Sequence, residues 1–418
     1  MVHNAFIHLI LQFAVMLSFA LVCGQIMRRF DQPAVLGELL GGILLGPTVF
    51  GTLAPGSFNW FFPTDESLSL ARNSVINLGM LFFLFVAGLE VKLAHINRRR
   101  KQIVLTSFLG WLFPMVLGIA AVQLFPGVWG AAASKSGWAF GIFVGTALSI
   151  SALPVIARIL MDLGLIQKEL GSIVMTAATV NDVIGWLLFA IILKVFIPGD
   201  PPTADISSAG LWTNVGLLIG FTVVVLLAGR TIGHPVLRWV KTELSWPSAF
   251  ISLTMVVILV VAAVTEFLGI HAIFGAYLVG IALGQNLEPG EGNNAHDAIY
   301  QFAISFFAPL YFVSIGLRAN FASDFHLPLV LLVLVIACIG KIGGASLGAW
   351  LGGMKRRQAL AVGFGMNARG AMEIILATVA LESGLIDQPI FVALVVMAFV
   401  TSMLSGPMMK RLMDQSDP

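Results

Sequence analysis

Apolar runs of about 20 residues recur from one end of this chain to the other. A helix of about 20 residues is roughly 30 Å long, which is the thickness of the hydrocarbon core of a bilayer. Of the 418 residues, 58% are hydrophobic and only 11% are charged, whereas a soluble domain carries about 25% charged residues. The sequence therefore predicts an all-α polytopic membrane protein, and its net charge of +2 gives no indication of a nucleic-acid partner.

Hydropathy predicts about 13 transmembrane helices. Their approximate ranges are 5–27, 33–50, 73–93, 102–125, 137–160, 170–197, 210–229, 247–267, 270–286, 297–317, 327–351, 358–382 and 388–409, with the eighth and ninth divided at Gly269. The first span lacks the basic region and cleavage site of a signal peptide, so we expect it to be retained. We expect residues 1–418 to form a single membrane domain without a soluble regulatory domain.

The distribution of basic residues predicts the orientation of these spans. With the C-terminus in the cytoplasm, 17 Lys and Arg residues lie in inside loops and 4 lie in outside loops. This asymmetry follows the positive-inside rule, and an odd number of spans then places the N-terminus outside. We expect an integral membrane protein of a bacterial inner (plasma) membrane.

The string TAATVNDVIGWLLFAIIL places a carboxylate, Asp182, in the middle of the sixth span, next to Asn181. An ionisable side chain near the bilayer centre costs at least about 2.5–3.5 kcal/mol, so such a residue faces protein or water and usually has a function. A carboxylate beside an amide offers oxygen atoms to a proton or to a small dehydrated cation. The structural alternative is a charge that holds a helix end, and the depth of Asp182 argues against it.

Two further spans show signs of an interrupted helix. In the fifth, the string SISALP places Ser149 and Ser151 just before Pro154, and proline removes a backbone hydrogen bond and clashes with the preceding turn. In the twelfth, the string GFGMNARGAMEII brings glycines and an amide together with the charges of Arg369 and Glu373. Irregular backbone at membrane depth is tolerated only against protein or a water-filled cavity.

The two interrupted spans occupy matching places in two groups of three helices. Spans four to six and spans eleven to thirteen run in opposite directions, and each group has its interruption in the middle helix. Paired broken segments in inverted halves indicate an ion site near the membrane midplane. Lys341 lies in the middle of span eleven, as Asp182 does in span six, so both charges neighbour that region.

Several of these side chains also have structural interpretations. Ser149 and Ser151 would then bond to their own helix, as serine often does in membranes. Arg369 and Glu373 are four residues apart and would neutralise each other, which is the role we favour for them. Lys341 would form a structural ion pair with the carboxylate of span six.

Five strings along the chain are similar to one known family. They are GELLGGILLGP (37–47), SALPVIARILMDLGL (151–165), ATVNDVIGW (178–186), IHAIFGAYLVG (270–280) and MNARGAMEIIL (366–376). Together they resemble the monovalent cation/proton antiporter-2 family, which is sodium/hydrogen exchanger-like, and in particular its plant and fungal cation/proton exchanger branch. Five strings in order over nearly the whole chain are more specific than a lone Asn-Asp pair.

The resemblance implies the sodium/proton antiporter fold, with inverted repeats and two crossed broken helices. It implies a dimer subdomain at about 1–95 and 245–320 and a core transport subdomain at about 100–200 and 325–412. A homodimer is implied by the family and by the small-residue pair Gly37 and Gly41 in span two. The implied activity is secondary active exchange of Na⁺ or K⁺ for H⁺ by alternating access, without a cofactor or an enzymatic reaction.

Carried over by position, Asp182 matches the family's cation- and proton-binding carboxylate, and Asn181 matches its polar partner. Ser149 and Ser151 match hydroxyl positions of the first broken helix, where the family often has threonine. Lys341 matches the embedded lysine of the second half, as a standing charge partner of Asp182 or as a second proton carrier. Many electrogenic relatives carry Asp at the position of Asn181, so we predict that one cation exchanges for one proton here.

Two other functions fit the predicted fold. A sodium-coupled organic-anion symporter of similar fold would need an organic-anion pocket, and the sequence shows no cluster of midplane cations beyond Lys341 and Arg369. A non-transporting membrane receptor would normally carry an attached soluble domain. Proton movement in response to Na⁺ or K⁺ alone distinguishes the antiporter from both alternatives.

Overall fold

The computed structural model describes residues 2–30, 32–63, 65–89, 99–165, 168–196, 208–243, 245, 248–268, 271–284 and 293–414, and every regular element in these ranges is helical. In chain order the helices are α1 (Val2–Arg29), α2 (Ala34–Leu45), α3 (Phe50–Leu53), α4 (Pro55–Phe61), α5 (Glu66–Leu89), α6 (Arg100–Leu124), α7 (Gly130–Ser149), α8 (Leu153–Asp162), α9 (Glu169–Phe196), α10 (Ser208–Glu243), α11 (Ser248–Phe267), α12 (Ala272–Gly284), α13 (Asn293–Phe302), α14 (Ala308–Arg318), α15 (Leu327–Leu351), α16 (Arg356–Met366), α17 (Ala371–Glu382) and α18 (Gln388–Asp414). A π-helical turn, Ala303–Phe307, joins α13 to α14.

Ten helical segments within the described ranges are long and apolar enough to cross a membrane. The prediction of an all-helical polytopic membrane protein is therefore confirmed. Two shorter apolar helices, Trp138–Ser149 and Ala272–Gly284, fall below the spanning length. The count of 13 includes interrupted and short helices as crossings, and it stays a prediction. The predicted division at Gly269 lies outside the described residues.

The chain divides into two compact units, each built from two separate stretches of sequence. The first unit comprises Met1–Lys92 and Thr203–Ser323, and the second comprises Leu93–Pro202 and Asp324–Pro418. The second unit contains both predicted interruptions, and it also contains the helices α9 and α15 that carry the two midspan charges.

Small residues let α6 and α15 approach closely in the second unit. Gly344 and Gly348 of α15 face the backbone of Leu109 and Leu105 in α6, and a Cβ atom at Gly344 would lie 2.7 Å from the Cβ atom of Phe113. Lipid tails are as apolar as leucine, so helices in a bilayer associate through close van der Waals packing. The glycines of α15 therefore hold the helix that carries Lys341 firmly against α6.

The small-residue pair of the second span has a role within the chain. Gly37 and Gly41 of α2 pack against the backbone of Cys23 and Phe19 in α1 of the same chain. Because α1 of the same chain covers them, these glycines do not support the predicted homodimer, which stays a prediction.

Candidate functional site

The two predicted helix interruptions of the second unit are bonded directly to each other. Residues 150–152 separate α7 from α8, and residues 367–370 separate α16 from α17. The backbone amide of Ala152 donates a hydrogen bond to the carbonyl oxygen of Ala368 at 3.0 Å. Each interruption thus satisfies part of the backbone of the other, which is the condition for irregular backbone at membrane depth.

Two cationic side chains bind the carboxyl-terminal end of α7. Arg369 donates from Nη1 to the carbonyl of Ala147 at 3.1 Å and from Nη2 to the carbonyl of Leu148 at 2.6 Å. Lys341 Nζ donates to the carbonyl of Ser149. These carbonyls have no helical partner because α7 stops here, and a helix C-terminus carries partial negative charge. Both cations therefore stabilise the broken end of α7.

Asp182, on α9, lies at the amino-terminal end of α8. Its carboxylate interacts with the backbone amides of Ser151 and Leu153. The residue that precedes α8 is Ala152, which forms no side-chain cap, and a carboxylate is favoured at the positive end of a helix. Asp182 therefore caps α8 from another helix, so the structural interpretation that its depth argued against, a charge at a helix end, does apply to it. It is 2% exposed, and its Oδ1 atom has no hydrogen-bond partner among the described residues.

Asn181 links Lys341 to α6. With its amide oriented so that both ends are satisfied, the nitrogen donates to the carbonyl of Ser107 at 2.9 Å and the oxygen accepts from Lys341 Nζ at 3.0 Å. The Lys341 ammonium is thus bonded to Asn181 and Ser149. A direct ion pair with Asp182 is not formed among the described residues, although the two charges are near enough to interact electrostatically.

Arg369 and Glu373 form a buried ion pair. Arg369 Nη1 lies 3.3 Å from Glu373 Oε1, and the two side chains are 0% and 2% exposed. Glu373 lies in the first turn of α17, where the helix dipole favours a negative charge. The two half-helices that begin at an interruption, α8 and α17, therefore each have a carboxylate at the positive end.

The two serines differ in their bonding. Ser149 Oγ donates to the carbonyl of Gly145 in its own helix at 2.7 Å and lies 2.9 Å from the carbonyl of Trp111. Ser151 Oγ donates to the carbonyl of Met366 at 3.0 Å. Ser149 therefore bonds to α7 and contacts α6, whereas Ser151 joins the first interruption to the last residue of α16.

The site contains two residues that sequence reasoning missed. Ser107 accepts from Asn181 through its carbonyl group. Ser402, on α18, accepts a hydrogen bond from the Arg369 amide at 3.2 Å and also contacts the Arg369 carbonyl. A hydroxyl within an apolar span was the available signal at Ser402; no sequence signal marks a backbone carbonyl as a partner.

Spanning apolar helices, combined with buried charges at two mutually bonded helix interruptions, define an integral membrane protein of the transporter class. The sequence profile of the transmembrane sodium/hydrogen exchanger family matches residues 16–415, and the chain belongs to that family. Membership places the chain among transporters and not among enzymes.

Named relatives agree with the family. The chain is 34% identical to Cation/H(+) antiporter 17 of Arabidopsis thaliana over an alignment of 416 residues, and this alignment covers 96% of this chain and 48% of that protein. It is 30% identical over 414 residues to Na(+)/H(+) antiporter NhaS4 of Synechocystis sp. (strain ATCC 27184 / PCC 6803 / Kazusa), covering 98% of each. It is 30% identical over 406 residues to K(+)/H(+) antiporter 1 of Saccharomyces cerevisiae, covering 93% of this chain and 45% of that protein.

The chain spans about half the length of the plant and yeast relatives. The predicted resemblance to cation/proton exchangers, with plant and fungal members among them, is confirmed. The solved structure of the sodium proton antiporter MjNhaP1 from Methanocaldococcus jannaschii at pH 8 matches with a TM-score of 0.67 over 98% of each chain, at 16% identity. At that identity the likeness shows the fold alone.

Proposed function

We propose that this chain is a secondary active antiporter that exchanges a monovalent cation, Na⁺ or K⁺, for H⁺ by alternating access. The observation that carries the proposal is the buried Asp182 carboxylate, which caps α8 and keeps Oδ1 without a hydrogen-bond partner among the described residues. An unpaired buried carboxylate oxygen is costly in a structural role, but a carrier of protons or cations requires one.

A proton and a cation compete for the same carboxylate. Protonated Asp182 is neutral and donates a hydrogen bond, whereas ionised Asp182 accepts a cation. An uncompensated charge is expensive to move through a low-dielectric environment. The protein therefore changes its access only when Asp182 carries one of the two ions, and this condition couples their movements in opposite directions.

The cation ligands are oxygen atoms at the interruptions. Asp182 supplies its carboxylate, Ser151 supplies hydroxyl lone pairs, and the irregular backbone at 150–152 and 367–370 supplies carbonyl groups, as in other discontinuous membrane helices. Ser149 is the weaker candidate of the two serines because its hydroxyl lies between the carbonyl oxygens of Gly145 and Trp111, whereas the Ser151 hydroxyl lies between the two interrupted helices.

The bond between Asn181 and Lys341 determines how these two residues take part in the exchange. The Asn181 oxygen is engaged by the Lys341 ammonium, so it becomes a cation ligand only when that bond breaks. Lys341 is bonded to Asn181 and Ser149, so in this proposal its charge stays the same whether Asp182 holds the cation or the proton. The exchange is then one cation for one proton, with no net charge moved.

The finer architecture follows from the same site. We infer 13 transmembrane crossings in inverted repeats, with α7–α8 and α16–α17 as two crossed broken helices. The support is the position of each interruption: one lies between α6 and α9, and the other lies between α15 and α18. The second unit would then be the core transport subdomain, and the first unit would be the dimer subdomain of a homodimer.

The environment of the protein is part of the proposal. We place it in a bacterial inner membrane with the N-terminus outside and the C-terminus in the cytoplasm. The support is the excess of basic residues in the loops assigned to the cytoplasm. The lipid bilayer, the cation and the proton are its partners, and no cofactor takes part.

The activity is tested in proteoliposomes that contain the purified full chain and a pH-sensitive dye. A preset pH gradient should collapse when Na⁺ or K⁺ is added, and it should persist when choline is added or when the liposomes contain no protein. A gradient that collapses only in the presence of an added organic anion would contradict the antiporter and support a symporter. A gradient that persists with every solute would contradict transport altogether.

A further inference from the structure

The first unit contains a cavity of about 440 Å³ that the proposed exchange mechanism does not use. Its walls are α1, α2 and the region around the π-helical turn that joins α13 to α14. Its volume lies in the roughly 300–1,000 Å³ range of small-molecule sites, and π-helical turns occur frequently at functional sites. Its lining residues are Leu17, Ala20, Leu21, Gly24, Gln25, Arg28, Ala34, Glu38, Gln301, Ile304, Ser305 and Pro309.

One face of α1 changes from apolar to polar along the cavity. Leu17, Ala20 and Leu21 line one end, and Gln25 and Arg28 line the other. These positions recur at helical spacing, so they form one stripe on α1. Arg28 lies in the last turn of α1, where a spanning helix reaches the lipid headgroups. The cavity therefore has a charged end at the membrane surface and an apolar end at the depth of the acyl chains.

The charged end presents both signs. Glu38 is 8% exposed, and its Oε2 atom has no hydrogen-bond partner among the described residues. Arg28 is exposed and attracts Glu38 electrostatically, without a direct ion pair in the described part of the chain. A buried carboxylate oxygen without a partner is stabilised when a ligand donates a hydrogen bond to it. A guanidinium group donates charge-assisted hydrogen bonds to a phosphate. Gln301 and Ser305 add polar groups to the same lining.

From this arrangement we propose that the cavity binds the headgroup of a zwitterionic phospholipid with a primary ammonium group, that is, a phosphatidylethanolamine. The ammonium donates to Glu38, the phosphate accepts from Arg28, and the acyl chains follow Leu17 and Leu21 towards the apolar end. The primary ammonium has three N–H donors for the unpartnered carboxylate oxygen, whereas the quaternary ammonium of phosphatidylcholine has none. The headgroup of phosphatidylglycerol also satisfies Arg28, but it offers Glu38 only neutral hydroxyl donors, which bind a carboxylate more weakly than an ammonium does.

Gly24 lies beside Glu38 in the wall of the cavity. A Cβ atom at this position would lie 3.8 Å from the Cγ atom of Glu38 and 3.6 Å from the carbonyl oxygen of Ala34. These are ordinary van der Waals distances, so α1 and α2 are in contact next to the Glu38 side chain.

The test is native mass spectrometry of the delipidated full chain after incubation with an equimolar mixture of phosphatidylethanolamine, phosphatidylcholine and phosphatidylglycerol with identical acyl chains. The wild type should retain phosphatidylethanolamine about tenfold over each of the other two lipids. Glu38→Gln and Arg28→Gln should lose this preference. The matched control is Arg29→Gln, which removes the neighbouring charge outside the cavity and should keep the preference.

Three outcomes would overturn the proposal. The first is equal retention of the three lipids by the wild type, and the second is an unchanged preference in both cavity variants. The third is a preference for phosphatidylglycerol that only Arg28→Gln removes, because Arg28 would then select an anionic lipid without Glu38. Arg28 is exposed, so Arg28→Gln provides the comparison even if Glu38→Gln does not fold. The readout is lipid binding, and it is independent of the proposed transport activity.

Discussion

Lys341 and Asn181 are directly hydrogen-bonded, with 3.0 Å between the ammonium nitrogen and the amide oxygen. The ammonium also donates to the Ser149 carbonyl at the broken end of α7. Both partners are neutral, so Lys341 has hydrogen bonds that do not require an ionised Asp182. A carboxylate that changes its ionisation during a transport cycle can do so beside a lysine that stays bound.

The first prediction is that Asp182→Asn abolishes cation-dependent proton movement while the protein still folds. Asparagine keeps one oxygen to accept from the α8 amides, but it neither ionises nor takes up a proton. Transport is measured as the dye response of proteoliposomes to Na⁺ or K⁺, and folding is measured as a monodisperse elution with a melting temperature near that of the wild type.

The matched control for this variant is Asp65→Asn. Asp65 is an exposed carboxylate that lies just before α5 and accepts hydrogen bonds from Ser67. Its replacement should leave the exchange rate within about twofold of the wild type, because surface substitutions have small effects. Exchange that survives in purified, folded Asp182→Asn protein would remove the centre of the proposed mechanism.

The second prediction concerns charge movement. Since Asn181 does not ionise and Lys341 is bonded to two oxygens, we expect one cation to exchange for one proton. A sodium or potassium jump on protein adsorbed to a solid-supported membrane should then give no sustained transport current, while the dye assay still reports exchange. A sustained current that disappears in Lys341→Gln would show that Lys341 carries a second proton, and the one-for-one exchange would be wrong.

The third prediction compares a buried ion pair with an exposed one. Arg369→Gln leaves Glu373 buried without its charge partner and leaves the carbonyls of Ala147 and Leu148 with weaker donors. Removal of one partner of a buried pair costs about 3–5 kcal/mol. The melting temperature of the purified protein, followed by intrinsic fluorescence, should therefore fall strongly in this variant.

The exposed pair between Arg99 and Glu169, whose side chains are 45% and 51% exposed, is the control for that comparison. Arg99→Gln should cost no more than about 1 kcal/mol, because solvent screens exposed pairs. The double variant Arg369→Gln with Glu373→Gln should recover part of the loss, since it no longer buries an isolated charge. Equal melting temperatures for Arg369→Gln and Arg99→Gln would contradict the stabilising role of the buried pair.

The positions of several helices could be predicted from the sequence to within a few residues, although α5 begins 7 residues before its predicted span and α10 ends 14 residues after its own. The span predicted at 327–351 coincides with α15, Leu327–Leu351, and the predicted span 102–125 overlaps α6, Arg100–Leu124. Backbone groups in lipid must be satisfied within their own segment, so an apolar run of spanning length has one solution, a helix. The polar residues at membrane depth were predictable for the same reason, because each is an exception to that pattern.

The partners of the buried charges could not be predicted in the same way. The four-residue spacing of Arg369 and Glu373 indicates their mutual pair, but it gives no sign of the bonds from Arg369 to carbonyl groups 221 and 222 residues earlier in the chain. Backbone carbonyls have no residue type that marks them as acceptors. The bond from Lys341 to Asn181 was not predicted for a related reason. Opposite charges indicate that a lysine pairs with a carboxylate, whereas a neutral amide carries no charge that would indicate the bond.

The fourth prediction compares two glycines of α15 that differ only in what they face. A Cβ atom at Gly348 would lie 2.7 Å from the Cα atom of Thr106 in α6, whereas a Cβ atom at Gly343 would have nothing within 4 Å. Gly348→Ala must push α15 away from α6, and overpacking of this kind costs roughly 1–3 kcal/mol. Gly343→Ala should be neutral or stabilising, because alanine is more favourable than glycine in a helix by about 1 kcal/mol.

We expect a lower melting temperature for Gly348→Ala and an equal or higher one for Gly343→Ala, measured by intrinsic fluorescence in the same detergent. Because α15 also carries Lys341, Gly348→Ala should slow exchange in proteoliposomes and Gly343→Ala should not. If the two variants melt at the same temperature, the close packing of α15 on α6 does not stabilise the second unit as described.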